Sequence, residues 1–179
     1  MAFTVVPSAG AKLRASVLSA LITELRPVSA VKTSDTSRNT TTSRTADPDL
    51  SVAVPANSTW DYELLIVATS AANAAGDISI EMQYPSGATH MYGAHGVVDT
   101  LASGASADLF AGTDSRDNTS PSAALSFGLS TTFTSILVSG RVEIGATPGN
   151  LLLAWAQSAS NANNSTVKNG SRLVAHRVA

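Results

Sequence analysis

From residue 50 onward the hydrophobic residues recur with a period of two, and this alternation constrains the fold more than any other feature of the chain. Leu50, Val52 and Val54 alternate with Ser51 and Ala53, and Trp60, Tyr62, Leu64 and Ile66 alternate with Asp61, Glu63, Leu65 and Val67. Successive side chains of an extended strand point to opposite faces, so each run predicts a strand with one face toward a core. The second half of the Trp60 run is apolar on both faces, which predicts a central strand covered on both sides. Ile78, Ile80, Met82 and Tyr84 alternate with Asp77, Ser79, Glu81 and Gln83, the pattern of a strand with one wet face. Gly76-Asp77 and Pro85-Ser86-Gly87 mark turns. Shorter strands are predicted near 88–92, 96–101 and 105–111, with a polar loop from Thr113 to Pro121. Ile136, Val138, Val142 and Ile144 precede Thr147-Pro148-Gly149-Asn150, and Leu151, Leu153 and Trp155 follow it. That predicts a hairpin of 133–145 with 150–158. A last strand is expected over Ser171 to Val178, with Leu173, Val174 and Val178 as core candidates. Roughly eight strands separated by polar turns predict a mainly β chain, an antiparallel sandwich or jelly roll.

The period changes at the N-terminus. Leu13, Val17, Leu18, Leu21, Ile22 and Leu25 fall on one face at a spacing near 3.6, Ser8 is a candidate N-cap and Pro27 ends the run. A lone helix of this length is marginal in water, so its apolar stripe must pack on something. It either covers one end of its own domain or meets copies of itself or a docking surface, and the stripe alone does not choose between these. The chain therefore divides into an arm with an amphipathic helix (1–27), a Ser/Thr-rich connector with one strand near 28–34 (28–49), and the β-sandwich (50–179).

Composition excludes more than it assigns. Charged residues are only 13% of the 179 residues and hydrophobic residues 44%. That charge content is about half the usual share and fits a surface largely covered by partner subunits or facing outward. The net charge is −2 with no basic stripe, so nucleic-acid binding has no electrostatic footprint. Cysteine is absent, which excludes disulfides, thiolate catalysis and Cys-based zinc sites. Met1 to Gly10 carry no positive charge and no long apolar run, so synthesis in a cytoplasm without a secretory signal is expected. No stretch approaches the roughly 18 apolar residues of a membrane helix.

No constellation of catalytic residues stands out. His90 and His95 are five apart, on opposite faces if both are in one strand, and a metal site would need a loop between them and a third ligand such as Glu81. His176 falls in the last strand and is expected to be exposed or at an interface. Gly104-Ala105-Ser106-Ala107-Asp108 departs from the nucleophile elbow at its last position. Asp61 with Glu63, and Asp77 with Glu81, are carboxylate pairs of the kind any solvated strand face offers. Asp114 and Asp117 lie in a loop without the ligand spacing of an EF-hand. Trp60 and Trp155 sit in apolar alternation and are expected in a core or interface. His90, Tyr92, His95, Asp114 and Asp117 are the candidate exposed contacts, the set a carbohydrate- or receptor-binding module would use. No catalytic residue, metal or cofactor is expected.

Four segments carry a resemblance. They are Gly10 to Ile22; Asp35-Thr36-Ser37-Arg38-Asn39-Thr40-Thr41-Thr42 with Asp47-Pro48-Asp49-Leu50; Gly76-Asp77-Ile78 with Tyr84-Pro85-Ser86-Gly87-Ala88; and Leu153-Ala154-Trp155-Ala156-Gln157-Ser158 with Asn169-Gly170-Ser171-Arg172-Leu173. In that order they resemble small virion proteins of tailed bacteriophages that infect actinobacteria, of the minor tail, head-fibre or capsid-decoration type. The resemblance implies a homotrimer with a jelly-roll knob similar to C1q/TNF-like domains. It also implies contact with other virion proteins, the major capsid or tail proteins, and in the tail-fibre alternative with a host surface glycan. The expected location is the virion.

Overall fold

The computed structural model describes residues 15–72, 77–97, 108–113 and 124–179, with the backbone alone for residues 20, 21, 23–25, 97 and 108–113. One helix, α1 (Ala15–Leu25), precedes twelve strands: β1 (Val28–Val31), β2 (Thr36–Arg38), β3 (Thr45–Val54), β4 (Ser58–Ser70), β5 (Ile78–Gln83), β6 (Thr89–Val97), β7 (Asp108–Thr113), β8 (Leu125–Phe127), β9 (Thr134–Ile144), β10 (Gly149–Gln157), β11 (Ser165–Val167) and β12 (Arg172–Arg177). They form two antiparallel sheets. The large sheet runs β1-β12-β4-β9-β6-β7, with β11 paired to β4 and β2; the small sheet runs β3-β10-β5-β8. The chain is a mainly β antiparallel sandwich with one short N-terminal helix. From β3 to β6, and again from β8 to β10, consecutive strands alternate between the sheets, and the first strand lies beside the last, which is jelly-roll connectivity.

The core lies between the sheets where the period-two runs meet. Leu50, Val52, Val54, Leu151, Leu153, Trp155, Ile78, Ile80 and Met82 come from the small sheet, and Trp60, Tyr62, Leu64, Ile66, Ile136, Val138, Val142 and Leu173 from the large one. Trp60 and Trp155 are both in it, as expected. Burying a Leu, Ile, Val or Phe side chain contributes about 1.5–3 kcal/mol, so this layer supplies most of the driving force for folding.

Four expectations change. The turn Thr147–Asn150 does not close a hairpin: β9 pairs with β4 and β6, and β10 with β3 and β5. Likewise β5 and β6 flank Pro85-Ser86-Gly87 but lie in different sheets. A short polar connection reverses the chain equally well within a sheet or across the sandwich, and here it crosses. The wet face assigned to β5 is not wet, because Ser79 and Glu81 are only 6% and 7% exposed. Strand β6 is one continuous run from Thr89 to Val97 where two short strands were expected. Finally, 28–49 is woven into the sandwich: β1 pairs with β12, β2 with β11, and β3 begins at Thr45.

Candidate functional site

The outward face of the large sheet is built by the residues that alternate with the core. The register sets Val31 opposite Arg172, Arg172 opposite Leu65, Leu65 opposite Leu137, and Leu137 opposite His95, one row across five strands. Val31 is 54% and Leu137 47% exposed, and Leu65 beside them is half-buried. Phe133, which continues the outward alternation of Ser135 and Leu137 just before β9, is 68% exposed. At the other end of the face Arg141 grips Asp61 with two bonds of 2.6 and 2.8 Å, and Met91 on β6 is opposite Arg141. The Arg141 guanidinium holds the Asp61 carboxyl below the usual carboxylate range. The face thus carries exposed aliphatic and aromatic side chains interspersed with Arg172, Glu63 and His95 and bordered by the Arg141–Asp61 pair.

Helix α1 adds a second apolar surface. Leu18 and Ile22 are 43% and 49% exposed, and Val17 is half-buried. For Leu21 and Leu25 only the backbone, in α1, is described, and Leu13 lies outside the described residues.

Part of the small sheet's outward face, around Ser79 and Glu81, is covered by the chain itself. Arg44, just before β3, donates to Glu81 at 2.8 Å and to Ser79 at 3.4 Å on β5. To do so it spans β10, whose outward residues opposite Glu81 and Ser79 are Ala154 and Ala156, both fully buried. Two alanines leave the room that the guanidinium needs. Glu81, the candidate third metal ligand, is therefore committed to an ion pair with Arg44.

Burial corrects the expectation of exposed contacts at His90 and Tyr92. Both point into the sandwich from β6 and are 3% and 6% exposed. His90 Nε2 is 2.6 Å from the Tyr62 hydroxyl. The imidazole stacks on Tyr62 and Tyr92, with centroids at 5.7 and 4.9 Å, and meets Tyr84 at 4.6 Å. These are all three tyrosines of the chain. Burial pushes the imidazole down to about 4 and raises the Tyr62 phenol, which neighbouring Tyr92 and Tyr84 raise further. Gly140 makes room for this stack: a Cβ there would come within 2.6 Å of the Met91 carbonyl and 2.7 Å of the Tyr62 hydroxyl. The cluster is sealed polar core and not a contact surface. Tyrosines at 62, 84 and 92 flanking a histidine in alternating strands are the signal that could have shown it.

His95, on the opposite face of the same strand, is exposed, as is His176 on β12. Asp114 and Asp117 lie outside the described residues. Asp61 is drawn to Arg141, and Glu63 stands two residues further along β4 on the same outward face. Among the described residues no group of three or more His, Asp or Glu is placed to hold a metal ion, and no helix is long and apolar enough to cross a membrane.

No family model and no curated protein matches the chain. Among solved structures it is similar to the infectious bursal disease virus VP2 subviral particle, at 10% identity and a TM-score of 0.21 over 86% of this chain and 40% of that one. It is also similar to the infectious bursal disease virus Gt strain structure, at 12% identity and a TM-score of 0.22 over 87% of this chain and 38% of that one. The chain spans about two fifths of the length of those proteins. TM-scores of this size do not establish a common fold.

Proposed function

We propose that the chain is a non-enzymatic structural protein of a virion, a homotrimer of jelly-roll knobs attached to the particle through its N-terminal region. One observation carries this reading. The large sheet presents Val31, Leu137 and Phe133 to solvent, while on the small sheet Arg44 covers Ser79 and Glu81. A monomer that covers part of one face and leaves aromatic and aliphatic side chains bare on the other fits a subunit of an assembly. Closed threefold symmetry would bury those side chains against neighbouring copies. The ordered resemblance of four segments to bacteriophage virion proteins supports the virion setting. The exposed Leu18 and Ile22 of α1 support an attachment surface distinct from the trimer face.

Two experiments test the two halves. Deletion of residues 1–27 leaves all twelve described strands in place. The shortened chain should fold and trimerise yet fail to copurify with phage particles. Normal incorporation would overturn the attachment role. Copy number per particle then separates head from tail: hundreds of copies place it on the head surface and a handful on the tail. The receptor-binding alternative loses its best candidates with the burial of Tyr92 and His90.

A further inference from the structure

A lysine that is 1% exposed is unusual, and Lys32 is held in place from both ends. Its backbone N–H donates to Ser171 O at 2.8 Å and its carbonyl accepts from Gly170 N–H at 2.9 Å, which locks it against the start of β12 in the large sheet. Its side chain crosses to β3 of the small sheet. There Nζ lies 2.9 Å from Asp47 Oδ1, and both side chains are fully buried. A second carboxylate, Asp49, sits 3.2 Å from the same Nζ and is 26% exposed.

The bulge in β3 creates this arrangement. Pairing of β3 with β10 shifts register between Leu152 and Ala154, next to Pro48, so Asp47 and Leu50 both point inward although they are three apart. Pro48 is tolerated because β3 is the edge strand. The Asp47 carboxyl group is surrounded by donors. Trp155 Nε1 donates to Oδ2 at 3.0 Å, and the backbone N–H groups of Asp49 and Leu50 donate to Oδ1 at 3.1 and 3.3 Å. The other cation nearby is Arg38, whose guanidinium lies 4.1 Å over the Trp155 ring and donates to the carbonyls of Thr45 and Ala46.

An amine, a carboxyl group fixed by polarising donors and a second carboxylate within reach of the amine are the components of an amide-forming site. We infer that Lys32 and Asp47, held together inside the sandwich with Asp49 beside them, condense to an isopeptide bond that joins the two sheets. In the reaction Asp49 takes a proton from the Lys32 ammonium and passes it to the Asp47 carboxylate. The free amine attacks Asp47 Cγ; the Asp49 and Leu50 N–H groups stabilise the oxyanion that forms on Oδ1, while Oδ2 carries the transferred proton as the hydroxyl that will depart. Asp49 then takes a second proton from nitrogen and delivers it to the departing hydroxyl, which leaves as water. One C–N bond forms, one C–O bond breaks, one water is released, Asp49 ends as it began, and no oxidant is required. Fixing amine and acid in contact supplies the proximity that a solution amine and acid lack. In a chain without cysteine, the bond would do what a disulfide does elsewhere. The inference does not depend on the assembly proposed above.

Intact mass spectrometry of the purified full chain under denaturing conditions is the test. The expected mass is about 18 Da below that of the sequence, one water lost. Tryptic mapping should give a branched peptide joining the segment around Lys32 to the segment around Asp47. Full sequence mass overturns the inference, and so does loss of water confined to a linear peptide, as in a succinimide. Lys32→Met should restore the full mass. Asp47→Asn should still react, now losing ammonia, about 17 Da. Asp49→Asn should keep the fold, checked by circular dichroism, and retain full mass. A folded Asp49→Asn chain that still loses water would remove Asp49 from the proton path.

Discussion

The two outward faces of the sandwich are made by the same rule, the residues that alternate with the core, and end in opposite states. On the small sheet Ser79, Glu81, Ala154 and Ala156 are buried within the single chain, and Arg44 ties them down. On the large sheet Val31 and Phe133 are more than half exposed and Leu137 nearly half. The first stretch is polar and buried; the second leaves large apolar side chains open among polar ones. The difference teaches that burial in this protein is not decided by hydrophobicity alone. A glutamate is inside because a cation crosses two alanines to reach it, and a phenylalanine is outside because nothing in the described chain covers it.

The largest expected effect breaks the comparison on the open side. Leu137→Arg places a charge on the open face, and burying it unpaired in an interface costs at least about 3 kcal/mol. Self-association should be lost by sedimentation, whereas Ser126→Arg on the outward side of β8 should leave it intact. Equal behaviour of the two variants would remove the distinction between the faces.

Acid probes the large sheet from its inner side. The His90 imidazole titrates near 6.5 in the unfolded chain and at about 4 in the folded one. Between these values the unfolded chain binds more protons, so stability is complete above pH 6.5, falls as pH drops toward 4, and levels off below. The loss attributable to His90 is about 3 kcal/mol. His90→Gln keeps a hydrogen-bonding partner for Tyr62 and does not titrate, so urea unfolding of this variant should lack that part of the slope.

A smaller effect belongs to the closed side. Glu81→Ala leaves Arg44 without its partner and should lower unfolding free energy by about 2 kcal/mol in urea titrations, with association unchanged. The smallest effect is at the charged border of the open face. Arg141→Ala removes an ion pair whose partners are both about half exposed, so the Tm should not move measurably.

Much of the fold was legible in the sequence because alternation reports burial directly. The cores of β4, β9 and β10 follow the residues named from the period-two runs, and Pro27 ends α1's pattern one residue before β1 begins. Which sheet each strand joins was not legible. Thr147–Asn150 signals a reversal, but the partner of a strand is chosen by residues far away, such as the Leu64–Val138 and Leu153–Met82 pairings. The outward face of β5 misled for a similar reason: Ser79 and Glu81 look solvated until Arg44, more than thirty residues away, is brought over them. The bulge at Asp47–Leu50 breaks the alternation by a single residue, too little to distinguish a buried acid from a connector. His90 and Tyr92 were misjudged because a histidine and a tyrosine near glycine read as a loop, whereas Tyr62 from β4 and Tyr84 from just after β5 pack on His90 and make this part of β6 core.

Sedimentation equilibrium of the purified full chain tests the central claim most directly. If the bare face of the large sheet is a subunit interface, the wild-type protein should sediment at three times the 18.2 kDa chain mass and Leu137→Arg at the chain mass itself. A wild-type protein that remains a monomer at micromolar concentration would contradict the account.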